Sequence, residues 1–191
     1  MTRVQIVVGS RHGGTAGIAE RIADVLRAEG IATTVAQAED RPAVTGFDAH
    51  IVGSGVYMGS WIREAVTFLE DNAMVLASRP VWLFSSGPIP NSSKTPRDAD
   101  PLTNALGPTE GPGSGGHRRI NELSEAIRPR GHVVFDGRFD PNDPAKNIAE
   151  RVVRLIPAIK DVLPSGDFRP WAEIEAWARE IAAELEAVPV G

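Results

Sequence analysis

The residues best suited to chemistry stand together in Ser10-Arg11-His12-Gly13-Gly14-Thr15, between the apolar run Val4 to Val8 and a helical pattern. A helix start presents N–H groups without acceptors and the positive end of the peptide dipoles, which together attract a phosphate. Gly13 and Gly14 let the backbone curl close to an anion, Ser10 and Thr15 add hydroxyls, and His12 could approach the same charge. The segment lacks the lysine of a nucleotide P-loop and does not fit the Gly-x-Gly-x-x-Gly pattern, which sets ATP and dinucleotides aside. An ordinary strand-to-helix turn explains the same residues about equally well, with Thr15 as N-cap and Arg11 and His12 in solvent.

Two further stretches follow strand-like runs. Gly53-Ser54-Gly55-Val56-Tyr57-Met58-Gly59-Ser60-Trp61 combines glycines with two large aromatics. Tyr57, the chain's one tyrosine, is the better candidate for stacking on a planar ligand, whereas Trp61 reads as packing under a neighbouring loop. Ser85-Ser86-Gly87-Pro88 offers small residues against which a flat ring could lie, and backbone groups of Gly55, Val56 and Gly87 could bond its edge. The candidate binding set is therefore Ser10, Arg11, His12, Gly13, Gly14 and Thr15, then Ser54, Gly55, Val56, Tyr57, Met58 and Gly59, then Ser86, Gly87 and Pro88. No side chain is expected to act as an indispensable acid or base. His12, His50, His117 and His132 show no metal-ligand spacing, so no metal is expected, and His132 reads as structural. Asp136 and Asp140, flanking Gly137-Arg138, read as a turn rather than a carboxylate pair.

The elements that must place these stretches alternate. Strands are expected at Val4–Val8, Thr33–Ala36, Ala49–Val52, Pro80–Phe84 and His132–Phe135. Helices are marked by Ile18, Ile22, Val25 and Leu26 with Gly30 as stop, by Ile62, Val66 and Leu69, and by Ile120, Leu123 and Ile127. Such alternation predicts an α/β sandwich whose five-stranded parallel sheet runs 2-1-3-4-5, with ligand at the carboxyl ends of the strands. Residues 87–116 form a long Gly- and Pro-rich loop, either a lid or a disordered segment. Over 145–187 C-terminal helices follow. One has a wide apolar face from Ile148 to Val162, interrupted by Pro157. A last one, opened by Pro170, carries Trp171, Ile174, Trp177, Ile181 and Leu185 on one stripe.

Composition bounds the rest. The 191 residues are expected to form a single domain, and a hydrophobic share of 42% with 24% charged residues is ordinary for a soluble chain. The net charge of −5 argues against nucleic acid, which wants a basic face. With no cysteine, disulfides and thiolate metal sites are excluded. No apolar run is long enough to span a bilayer, and Met1-Thr2-Arg3 leads straight into a strand, so a cytoplasmic protein without signal peptide is expected. The apolar face near Leu155 to Leu163 is read as covering the sheet or a homodimer contact in preference to a membrane surface.

SRHGGTAGIAERIA, IVGSGVYMGSW and DFRPWAEIEAWAREIA together resemble the flavodoxin-like FMN proteins, and among them the menaquinone-dependent protoporphyrinogen oxidase group. That family's phosphate loop runs Ser or Thr, any, any, Gly, any, Thr, which Ser10 to Thr15 match; Ser54 to Gly59 is similar to its second loop. The resemblance implies one non-covalent FMN, with its phosphate on the first loop and its ring between the second and third. It also implies an FMN-dependent oxidoreductase passing electrons from a porphyrinogen to a quinone. A one-electron carrier docking on protein partners, and a flavodoxin-fold protein without flavin, are the alternatives. Between Pro88 and Gly131 the match is patchy: the oxidases are long and basic after the fourth strand, whereas Ile89 to Gly116 has Lys94 and Arg97 as its Lys and Arg residues.

Overall fold

The computed structural model describes residues 1–57, 60–87, 115–140 and 166–187, with the backbone alone at 115–119, 121 and 139. Met58, Gly59, Pro88, the loop over 89–114 and the apolar helical face over 148–163 lie outside them.

Parallel pairing explains why the strands read as apolar runs. β1 (Arg3–Gly9) is buried from Val4 onward, flanked by β2 (Ala32–Gln37) on one side and β3 (Ala49–Tyr57) on the other. β3 pairs in turn with β5 (Val81–Gly87), and β5 with β6 (Gly131–Asp136), all parallel. The two-residue β4 (Ser60–Trp61) folds back antiparallel on Val56 and Tyr57 and stands off the main path. The order β2-β1-β3-β5-β6 is thus the expected 2-1-3-4-5 once the β4 stub is set aside.

Side chains alternate across this sheet into two cores. Val4, Ile6 and Val8 meet α1 (Gly14–Ala28) and α5 (Trp171–Ala187), through Ile18, Ile22 and Leu26 on one helix and Ile174, Trp177 and Ile181 on the other. Val7, Val52 and Leu83 point the other way, toward α2 (Arg63–Asp71), α3 (Ala73–Ala77) and α4 (Gly115–Ile127). The apolar stripe of α5 is core, as its spacing predicts. α1 stops where Gly30, at φ +79°, allows the N–H groups of Gly30 and Ile31 to turn back onto the carbonyls of Arg27 and Leu26.

Two strands run further than their apolar stretches. β3 continues through Ser54-Gly55-Val56-Tyr57 and β5 through Ser85-Ser86-Gly87, so both expected loops are largely strand. The ladder holds them: Ser54 lies opposite Ser85, Gly55 opposite Ser86, and Gly87 opposite Asp136. Small side chains are compatible with a central strand packed on both faces, a situation that strand propensity does not describe. The expected turn at Asp136 to Asp140 is instead a change of sheet. β7 (Arg138–Phe139) leaves the end of β6 and pairs antiparallel with β8 (Gly166–Asp167).

Candidate functional site

β1 delivers the first loop to the carboxyl edge, at the point where the strand order reverses between β2 and β3, the usual crevice for ligands in such sheets. Gly13 takes φ +76° and ψ −10°, a left-handed conformation costly for any residue with a Cβ, and it is the N-cap of α1 in place of Thr15. The side-chain cap comes from further back, since the Ala16 N–H donates to Ser10 Oγ at 3.2 Å. Gly14 and Thr15 open the first turn, where helix geometry gives their N–H groups no intrahelical acceptor. Thr15 is buried, and its hydroxyl lies 3.1 Å from where a Cβ on Gly55 would stand.

The end of β3 comes against this loop. The guanidinium carbon of Arg11 lies 4.9 Å from the centre of the Tyr57 ring, and the His12 ring lies 6.3 Å from it. Arg11 and His12 are therefore not simply in solvent; the fold gathers them around the tyrosine. Ser54 is used differently: fully buried, it accepts the Ile62 N–H and donates to the Gly55 carbonyl, each at 2.9 Å. Its hydroxyl pins the turn into α2.

At the end of β5, Ser86 and Gly87 face Gly137. A Cβ on Gly137 would collide with the Gly87 carbonyl oxygen, so glycine is required for the chain to leave β6 this closely. The next residue, Arg138, has its Cβ and backbone within 4 Å of the Gly14 Cβ position. Gly137 and Arg138, together with Arg169, which donates to the Gly14 carbonyl at 3.3 Å, are the site's neighbours that sequence reasoning missed. The one available signal was a Gly-Arg pair directly after a strand at the ligand edge.

Behind the site, Ser85 has its own task. Trp61 Nε1 donates to Ser85 Oγ at 2.9 Å, and the same oxygen lies 2.9 Å from His132 Nε2. Burial lowers the His132 pKa from 6.5 to about 4, so the ring is neutral and the link serves structure. Trp61 is packed, as expected.

Three of the candidate stretches thus meet: His12, Gly14, Thr15, Gly55, Val56 and Tyr57 share one narrow cleft of about 30 Å³ with Ser86, Gly87, Gly137 and Arg138. A wider cleft of about 700 Å³ runs between Arg41–Ala43 and Arg63–Asn72; the first turn of α2 lines it, but that turn carries the acidic Glu64, and Glu39 and Asp71 add further carboxylates that disfavour an anion. The donor set at the narrow cleft fits a phosphomonoester: amides at a helix start, the Thr15 and Ser86 hydroxyls, His12, and Arg138, which also pairs with Asp140 at 3.3 Å, while Arg11 stands behind Tyr57. Among the described residues no cluster of three or more His, Asp and Glu could hold a metal ion, and no helix is long and apolar enough to cross a membrane.

Comparison with known proteins agrees with the fold. A flavodoxin from Pseudomonas aeruginosa, in a cysteine-to-serine variant, superposes with a TM-score of 0.56 at 18% identity over 97% of this chain and 100% of its own. Oxidised flavodoxin 1 of Bacillus cereus gives 0.52 at 16% identity, covering 98% of this chain and 99% of that one. The rubredoxin:oxygen oxidoreductase of the anaerobe Desulfovibrio gigas gives 0.57 at 14% identity; it matches 98% of this chain, which spans 37% of that larger protein. No curated protein matches the sequence at a significant level. The family model for the flavodoxin domain matches residues 5–140. That match spans most of the chain, which therefore belongs to the flavodoxin domain family, whose cofactor is FMN.

Proposed function

We propose that the chain is an FMN-dependent oxidoreductase that takes electrons from a reduced organic substrate and gives them to a quinone-like acceptor. The observation that carries the cofactor part is the convergence of the α1 start with Arg11, His12 and Arg138 beside the ends of β3 and β5. The Gly14 and Thr15 amides and the Thr15 hydroxyl would hold the phosphate, with Ser10 keeping the loop in shape through Ala16. Tyr57 and the backbone of Gly55, Val56 and Gly87 would border the ring, which would put Ser54 beneath the site as a brace. FMN supplies the electron chemistry once bound, and the chain supplies orientation and access.

The substrate part rests on sequence. SRHGGTAGIAERIA and DFRPWAEIEAWAREIA resemble the protoporphyrinogen oxidase group, which would make the donor a porphyrinogen and the acceptor a menaquinone. The test is anaerobic mixing of the FMN-loaded chain with protoporphyrinogen, followed by a menaquinone analogue. Bleaching and then recovery of the flavin absorbance is the expected result, and no turnover above buffer removes this reading. A second reading, a carrier that docks on a basic protein partner, is favoured by the flavodoxin family match and the net charge of −5. Reduction in two well-separated one-electron stages, with no porphyrinogen turnover, would select it.

A further inference from the structure

We propose that Arg169 is a positioning residue for the phosphate end of the site, and that Asp167 to Trp171 form a strap locking the first turn of α1; the inference rests on the phosphate reading of Ser10 to Thr15. Arg169 Nη1 donates to the Gly14 carbonyl at 3.3 Å, across 155 positions of sequence. Its other donors are fixed: Nε reaches Asp167 Oδ1 at 2.7 Å, and Nη2 bonds Asp167 Oδ2. The guanidinium carbon lies 4.3 Å from the centre of the Trp171 ring, and the side chain is 13% exposed. Trp171 also meets Arg21 of α1, at 5.2 Å, and Arg21 pairs with Glu175 at 3.2 Å. At its other end the strap is tied by the Phe168 N–H to the Gly137 carbonyl at 3.0 Å. Gly17 leaves room for the arginine, since a Cβ there would collide with the guanidinium.

The chemistry follows from one peptide plane. The Gly14 carbonyl and the Thr15 N–H belong to the same peptide unit and point in opposite directions. A cation bonded to the carbonyl fixes that plane and draws electron density from it, so the Thr15 N–H becomes a stronger and better aimed donor. Asp167 keeps the fork in register; its carboxyl is held below the usual range, chiefly by hydrogen bonds from the Arg169 side chain. A strap that acts this way favours a ligand with a phosphate over the same ring without one.

Titration of the flavin-free full chain with FMN and with riboflavin, followed by flavin fluorescence, tests this. The parent should prefer FMN. Arg169→Met should bind FMN about tenfold more weakly, the size of one charge-assisted hydrogen bond, and riboflavin within about twofold of the parent. Arg169→Lys should lie between, since an ammonium cannot hold Asp167 and Gly14 through one rigid fork. Asp167→Asn, which keeps the guanidinium but loosens it, should lose about threefold on FMN alone and gives the answer if Arg169→Met does not fold. Equal losses on both ligands, or no loss on FMN, would overturn the strap. A parent that binds riboflavin as tightly as FMN would overturn the phosphate reading beneath it.

Discussion

Acid should destabilise this protein through His50. The ring has no solvent exposure, and among the described residues neither of its nitrogens has a hydrogen-bond partner. Burial above all, with a contribution from the charge of Arg79, lowers its pKa from 6.5 to about 4. The unfolded chain therefore takes up its proton near 6.5, and the folded chain only near 4. Because the folded-state value is the lower one, the stability concerned is complete above 6.5 and drains away as the pH falls toward 4. Each pH unit in that window costs about 1.4 kcal/mol, so reaching about pH 5 costs about 2 kcal/mol and crossing the window about 3.4 kcal/mol. A domain has about 5–15 kcal/mol to lose. Urea unfolding followed by circular dichroism, at about pH 7 and about pH 5, keeps most carboxylates ionised at both ends. With a slope of about 2 kcal/mol per molar, His50 alone should lower the midpoint by about 1 M. His132, also held at about 4 by burial, should add to the fall. His50→Leu should recover the His50 share at the acid end. An unchanged pH dependence in that variant would refute the reasoning.

Smaller perturbations probe the rest of the site. Ser10→Ala removes the oxygen that caps the Ala16 N–H and should cost about 1 kcal/mol in urea unfolding. Gly137→Ala drives a methyl into the Gly87 carbonyl and should cost about 1–3 kcal/mol, with a matching fall in melting temperature. Trp61→Phe deletes the donor to Ser85 while His132 still holds that oxygen; about 1 kcal/mol of lost stability is expected from the same unfolding curves.

Much of the sheet was legible because its central strands announce themselves by apolar runs of the right length, whereas the edge strand β2, Ala-Thr-Thr-Val-Ala-Gln, shows only a short β-branched stretch. Val4 to Val8 could hardly be anything else, and its partner runs repeat at helix-sized intervals. The strand ends were not legible: Ser54-Gly55 and Ser85-Ser86-Gly87 have turn-like chemistry yet lie in ladder, because β1, β3, β5 and β6 continue side by side and pair their backbones whatever the side chains. Arg11 and His12 illustrate the same gap at the site. As residue types they fit solvent or an anion equally well, and the position of Tyr57 draws them in. Gln5 and His50 lie opposite one another on β1 and β3, and their unpartnered polar atoms became visible once burial was known.

By itself the sequence determined the alternation of strand and helix, the loop Ser10 to Thr15 and the core stripe of α5, since these depend on periodicity and local turn chemistry. Tertiary structure alone decided that Arg138 and Arg169 reach Gly14 from the far end of the chain, because contacts over 155 positions leave no local pattern. Packing brings such residues together, and no window of neighbouring side chains records it.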